Sequence, residues 1–76
     1  MTGSGARRPV AVSGGEIRLG QFLKLTGSAD SGADAKQMLA AGIVSVNGEI
    51  ETRRGRRLFA GDIVNCEGES LLVVAG

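Results

Sequence analysis

The 76-residue chain has no histidine, no tryptophan and no tyrosine, only one cysteine and only two phenylalanines. Without histidine, neither a Ser–His nor a Cys–His nucleophile pair can be assembled within the chain. A single cysteine, Cys66, excludes an internal disulfide, and without histidine beside it the zinc-ligand spacings are absent as well. No glycine-rich stretch has Walker A spacing. The carboxylates have plainer places: Asp30 and Asp34 near a helix start, Asp62 in a turn, Glu49 and Glu51 on a strand. The chain therefore reads as non-enzymatic, with no metal and no cofactor. Phe22 and Phe59 as the whole aromatic inventory argue against base stacking on aromatic platforms as its way of holding a nucleic acid. No apolar run approaches the roughly 18 residues that span a bilayer. Arg7 and Arg8 are followed by no hydrophobic stretch of a secretory signal, so a cytoplasmic location without membrane contact is expected.

What is present suits one small domain near the lower limit for independent folding. Hydrophobic residues make up 42% and charged residues 22%, which is ordinary for a globular chain. Thirteen glycines are too many for long uninterrupted helices and imply several tight turns. Nine basic and eight acidic residues leave a net charge of +1, which by itself names no partner. Four of the basic residues, however, are Arg53, Arg54, Arg56 and Arg57. Without them, five basic residues face eight acidic ones, a remainder of −3. The positive field is local, and its location matters more than the sum.

Residues 1–15, MTGSGARRPVAVSGG, show no periodicity and read as a flexible N-terminal tail, with Val10–Val12 able to form a short edge strand. The folded domain is expected over residues 16–76. Leu19, Phe22 and Leu23 recur at i, i+3 and i+4, one apolar helix face that Gly27 would end. Ser31 resembles an N-cap with Asp34 three positions on. Ala35, Met38 and Leu39 supply the next stripe, and Gly42 stands where a left-handed C-cap belongs. These are two short helices joined by TGSAD.

After Gly42 the period changes to two. Val44 and Val46 alternate with Ser45, and Asn47-Gly48 signals a hairpin. A two-residue turn pairs Val46 with Glu49 and turns Ile50 to the other face. A three-residue loop pairs Val46 with Ile50 and buries all three apolar side chains together, and it is the expected register. FAGD reads as a further turn. Strands follow at Ile63–Cys66 and Leu71–Val74, with EGES between them. The fold class is α+β: two short helices on a small, mainly antiparallel sheet of three to five strands. Cys66 and Met38 read as core.

The arginine cluster has two readings. In one it is a solvated loop whose charges are partly offset by Glu49 and Glu51. In the other it binds phosphate: all four residues are arginines, whose planar fork of donors matches phosphate oxygens. Like charges packed together are more easily understood beside a polyanion, whose counterion release makes binding salt-dependent. Lys36, off the apolar stripe of the second helix, and Arg18 and Lys24, on the first, would join the same surface.

From Arg18 to Gly48 the order of residues resembles the alpha-L RNA-binding motif, the S-four domain family. Arg18-Leu19 matches the family's first-helix opening. Ser31, Ala35, Met38, Leu39, Gly42, Val44, Val46, Asn47 and Gly48 then fall in register without a gap. GRRLFAGDIV is similar to the family's Gly-Asp turn before its next strand. FLKLTG, Lys36 and ETRRGRR look most like its small stand-alone bacterial members of the YbcJ/YaaA type. There are two departures: Gly20 stands where the family has Asp, and Gly32 where it often has an RNA-contacting Arg, for which Lys36 would substitute. The resemblance implies a monomeric, ribosome-associated RNA-binding module. Its target would be a structured RNA of the ribosomal or transfer class, recognised by shape through phosphate contacts from Arg18, Lys24, Lys36, Arg53, Arg54, Arg56 and Arg57.

The residues also admit two other readings. A protein-docking adaptor would place the arginine loop on an acidic partner. A β-grasp sulfur carrier shares the Val-Asn-Gly turn, the late Gly-Asp turn and a final apolar strand, here ending VVAG. Ala75-Gly76 is not the Gly-Gly terminus such carriers need, and they open on a strand hairpin rather than on two helices.

Overall fold

A computed structural model describes residues 7–76. Seven strands and two helices follow one another as β1 (Arg8–Val12), β2 (Glu16–Arg18), α1 (Leu19–Leu25), α2 (Gly32–Ala40), β3 (Val44–Val46), β4 (Glu49–Ile50), β5 (Arg57–Phe59), β6 (Ile63–Cys66) and β7 (Glu69–Ala75). Five strands form one sheet in the order β1-β7-β6-β3-β4, and β2 pairs with β5 in a separate two-stranded ribbon. All pairings are antiparallel except β1 with β7. The α+β class, with two short helices and a mainly antiparallel sheet, is therefore observed.

Both helices form where their local signals lie. In α1, Leu19, Phe22 and Leu23 are fully buried, each stabilising the fold by about 2 kcal/mol relative to exposure. Ser31 is the N-cap of α2, its hydroxyl accepting from the Asp34 N–H at 3.1 Å. Asp34 completes a variant of the capping box: its carboxylate accepts from the Asp30 N–H at 3.0 Å rather than from the cap residue. Gly42, at φ 73, ends the helix by donating to the Leu39 carbonyl.

The hairpin register differs from the expectation. Val46 pairs with Glu49 and Ser45 with Ile50, so the turn contains two residues, Asn47 and Gly48, at φ 52 and 89. Positive φ at both central positions defines the turn whose twist suits two antiparallel strands, and Asn-Gly is the pair that reaches it with least strain. Local turn chemistry outweighs the burial of one more aliphatic side chain: Ile50 stands 69% exposed. Asn47 also ties this turn to the start of β6, donating to Asp62 and accepting from the Ile63 N–H.

Two features at the start of the chain depart from the expectation. The strand allowed at Val10–Val12 is present but begins at Arg8, so the sheet takes up residues assigned to a flexible tail; residues 1–6 of that tail lie outside the described residues. Parallel pairing of Arg8–Val12 with Leu71–Ala75 buries Val12 in the core. Arg18 closes β2 instead of belonging to the first helix. The two opening strands pair with late strands, not with each other, so the chain does not open on the hairpin of a sulfur carrier.

One core is shared by both helices and by every strand except β4, whose two residues are exposed. Val44, Val46, Val64, Cys66, Leu71 and Val73 point from one sheet face toward α1, α2 and Leu58 of β5. Burial pushes the Cys66 thiol above its ordinary value, helped by Glu67 and Glu69. Among the described residues no helix is long and apolar enough to cross a membrane.

Candidate nucleic-acid interface

The segment between β4 and β5 carries the four arginines, and a buried carboxylate organises it. Glu51 accepts backbone N–H bonds from Thr52 and Arg53, two bonds from the Arg53 guanidinium and one from Arg56 Nη1, at 3.0–3.3 Å. The side-chain and backbone donors of Arg53, then the Arg56 guanidinium, lower the Glu51 pKa to about 2, outweighing the upward push of burial. The same pairing raises the pKa of Arg53.

This pinned loop in turn caps α1. The Leu19 and Gly20 N–H groups, which a helix start leaves without intrahelical partners, donate to the carbonyls of Arg56 and Arg54 at 2.8 and 2.9 Å. Such a close approach explains Gly20. A Cβ there would stand 3.2 Å from the Arg54 Cβ, tighter than ordinary contact. Loop carbonyls thus do at the helix start what an acidic side chain at this position would otherwise do.

Docking the loop on α1 leaves a cleft of about 270 Å³ between α1, the first turn of α2 and the loop. Its walls carry the cations Arg18, Lys24 and Arg54. Gly20, Gly32, Ala35 and Gly55 form small-residue surfaces between them, and Gln21 supplies an amide. Lys24 and Gln21 reach it because they share the face of α1 opposite the buried Phe22 and Leu23. The Arg18 guanidinium lies over Gly55, where an added Cβ would stand 3.6 Å from its Nη1, an ordinary contact.

The seven cationic residues marked in the sequence therefore separate. Arg18, Lys24 and Arg54 meet at the cleft. Arg53 and Arg56 are held by Glu51 at 3.1 and 3.2 Å, and Arg57 is paired with Glu16 of β2 at 3.3 Å. Lys36 is exposed on α2 and does not line the cleft. Among the described residues no carboxylate lies within ion-pair distance of the three cleft cations. Offsetting of the cluster is real but comes from Glu51 and Glu16, with Glu49 making no such pair. The cleft's small residues and Gln21 were not marked in the sequence; the two glycines that depart from the family pattern, Gly20 and Gly32, were the signal available.

The S4 domain model matches residues 10–74. The protein named "Probable ribosome maturation protein RlbA" from Bacillus subtilis is 47% identical over 60 residues, covering 79% of this chain and 84% of the relative. YbcJ of Escherichia coli is 44% identical over 59 residues, 78% of this chain and 84% of its own. Its solution structure, described as revealing an αL motif involved in RNA-binding, superimposes with a TM-score of 0.64 at 38% identity, over 92% of this chain and 87% of that one. Ribosomal protein S4e of Thermoplasma acidophilum gives a TM-score of 0.55 at 25% identity over 74% of this chain. The match spans only 30% of S4e.

Proposed function

This chain belongs to the S4 domain family, and from that premise we propose that it is a non-catalytic module binding structured RNA through phosphate contacts in the cleft of Arg18, Lys24 and Arg54. The observation that carries the reading is the sorting of charge. Glu51 and Glu16 occupy Arg53, Arg56 and Arg57, while three cations that have no carboxylate partner among the described residues converge on a cleft. Cations held close together repel, and a polyanion relieves that repulsion while releasing its counterions. Small residues between them let a sugar-phosphate backbone approach the protein closely. Recognition is by shape, phosphates positioning the RNA. A ribosomal or transfer RNA is the target class; the names of RlbA and S4e favour the ribosomal one. Arg53, Arg56, Arg57 and Lys36 border the contact without forming it.

The test is fluorescence anisotropy with a labelled, structured ribosomal RNA fragment across 50 to 200 mM salt. Arg18→Ala, Lys24→Ala and Arg54→Ala each weaken binding and lower the log–log salt slope by about 1. Lys36→Ala leaves the slope within roughly half of that change. Absence of salt-sensitive affinity in the parent protein overturns the reading.

A further inference from the structure

Phe59 is one of two aromatic residues in the chain, and it stands outside the core, 51% exposed. Its place is on the β2–β5 ribbon, where Glu16 lies directly opposite Phe59, Ile17 opposite Leu58, and Arg18 opposite Arg57. Leu58 and Ile17 turn inward, Leu58 into the core and Ile17 against it. Phe59, Glu16, Arg57 and Arg18 therefore share the outward face of the ribbon, because side chains alternate along each strand. Arg18 belongs at once to this face and to the cleft wall. Phe59 is thus the diagonal neighbour of Arg18 across the ribbon, about 7–8 Å from that cleft residue on the same outward face.

The backbone that carries the ring is held in place. The Phe59 N–H donates to the Asp62 carboxylate at 2.8 Å and its carbonyl accepts from the Asp62 N–H at 2.9 Å, closing the turn directly behind it. Ordering such a side chain on a ligand therefore costs little further backbone entropy. Charge varies along the ribbon. At the cleft end Arg18 has no carboxylate partner among the described residues, whereas beside the ring Glu16 neutralises Arg57. Phosphates are drawn to the first end, and an uncharged planar group suits the second.

We propose that Phe59 is a stacking platform for one unpaired base of the RNA whose phosphates occupy the cleft. The ligand is then a structured RNA at a junction, loop or end, where a base is free to leave its helix. This rests on the proposed RNA-binding reading and adds to it. Scarcity of aromatics excludes a sheet-wide stacking surface, but a single ring beside a phosphate site needs no second one.

The experiment compares one RNA hairpin carrying a three-nucleotide unpaired extension, at the 5′ or the 3′ end, with the same hairpin whose extension is abasic. Phosphate number is equal in both. The parent protein is expected to prefer the extension with bases by roughly tenfold. Phe59→Ala removes the preference while keeping the affinity for the abasic hairpin. Phe59→Trp retains it, and its indole, which would be alone in the chain, is quenched on binding; this variant guards against a folding defect in the alanine form. If Arg54→Ala lowers affinity while the parent shows no preference, or Phe59→Ala keeps it, the platform is refuted and RNA binding stands. If neither hairpin binds, both fall together.

Discussion

Glu51→Gln isolates the carboxylate that pins the arginine loop. The substitution keeps the side chain's size and one neutral acceptor, but removes the charge. It also turns an amide N–H₂ toward donors that now face Glu51: the Thr52 and Arg53 N–H groups and two guanidiniums. A hydrogen bond to a charged group contributes about 1.5–3 kcal/mol, and a buried donor left unmade costs a similar amount. The Arg53 side chain is in solvent, so its share is screened; the backbone donors and the half-buried Arg56 carry the effect. We expect a loss of about 2 kcal/mol at pH 7. In a domain of this size that lowers the melting temperature by roughly 10 °C. The pH dependence supplies a second signature. Because the Glu51 pKa is lowered from 4.5 to about 2 on folding, its contribution is fully present above pH 4.5 and is lost as pH falls toward 2. Circular-dichroism melts at pH 7 and at steps down to pH 2.5 should therefore show parent and variant converging in acid. A variant melting within 2 °C of the parent at pH 7, or a constant gap between them into acid, refutes the claim that this carboxylate organises the loop.

Removing the N-cap hydroxyl with Ser31→Ala should cost about 1 kcal/mol in urea unfolding, with no change in m-value. Ile50→Lys should alter stability by no more than about 0.5 kcal/mol; a loss above 2 kcal/mol would mean that Ile50 is packed in the core. The Cys66 thiol, buried and shifted upward, should react with an alkylating reagent at pH 8 only at the rate of opening, and fully in denaturant. Rapid labelling of the folded protein would contradict its position.

Local signals reached far along this chain. The apolar spacing of Leu19, Phe22 and Leu23, the Ser31 cap, the Gly42 terminator and the alternating Ile63–Cys66 segment each depend on neighbours within about four residues, and each forms as its pattern implies. The register of the first hairpin was also locally encoded: Asn47-Gly48 favours the two-residue turn on its own. That preference outweighs the burial of Ile50, which a three-residue loop would have gained.

Composition and spacing by themselves determined an α+β module without nucleophile–histidine chemistry, with a basic cluster beside a hairpin. The tertiary structure decided which cations are available. β2 and β5 are three-residue strands of mixed polarity, too short to show a period, and only their pairing brings Glu16 to Arg57. Glu51 lies just before the arginines in sequence, yet its burial, not its proximity, makes it the anchor of Arg53 and Arg56. Arg18, Lys24 and Arg54 come from separate segments and converge because loop carbonyls cap α1. Electrostatic partnership acts through space, and a linear sequence does not show which charges the folded chain brings within reach of one another.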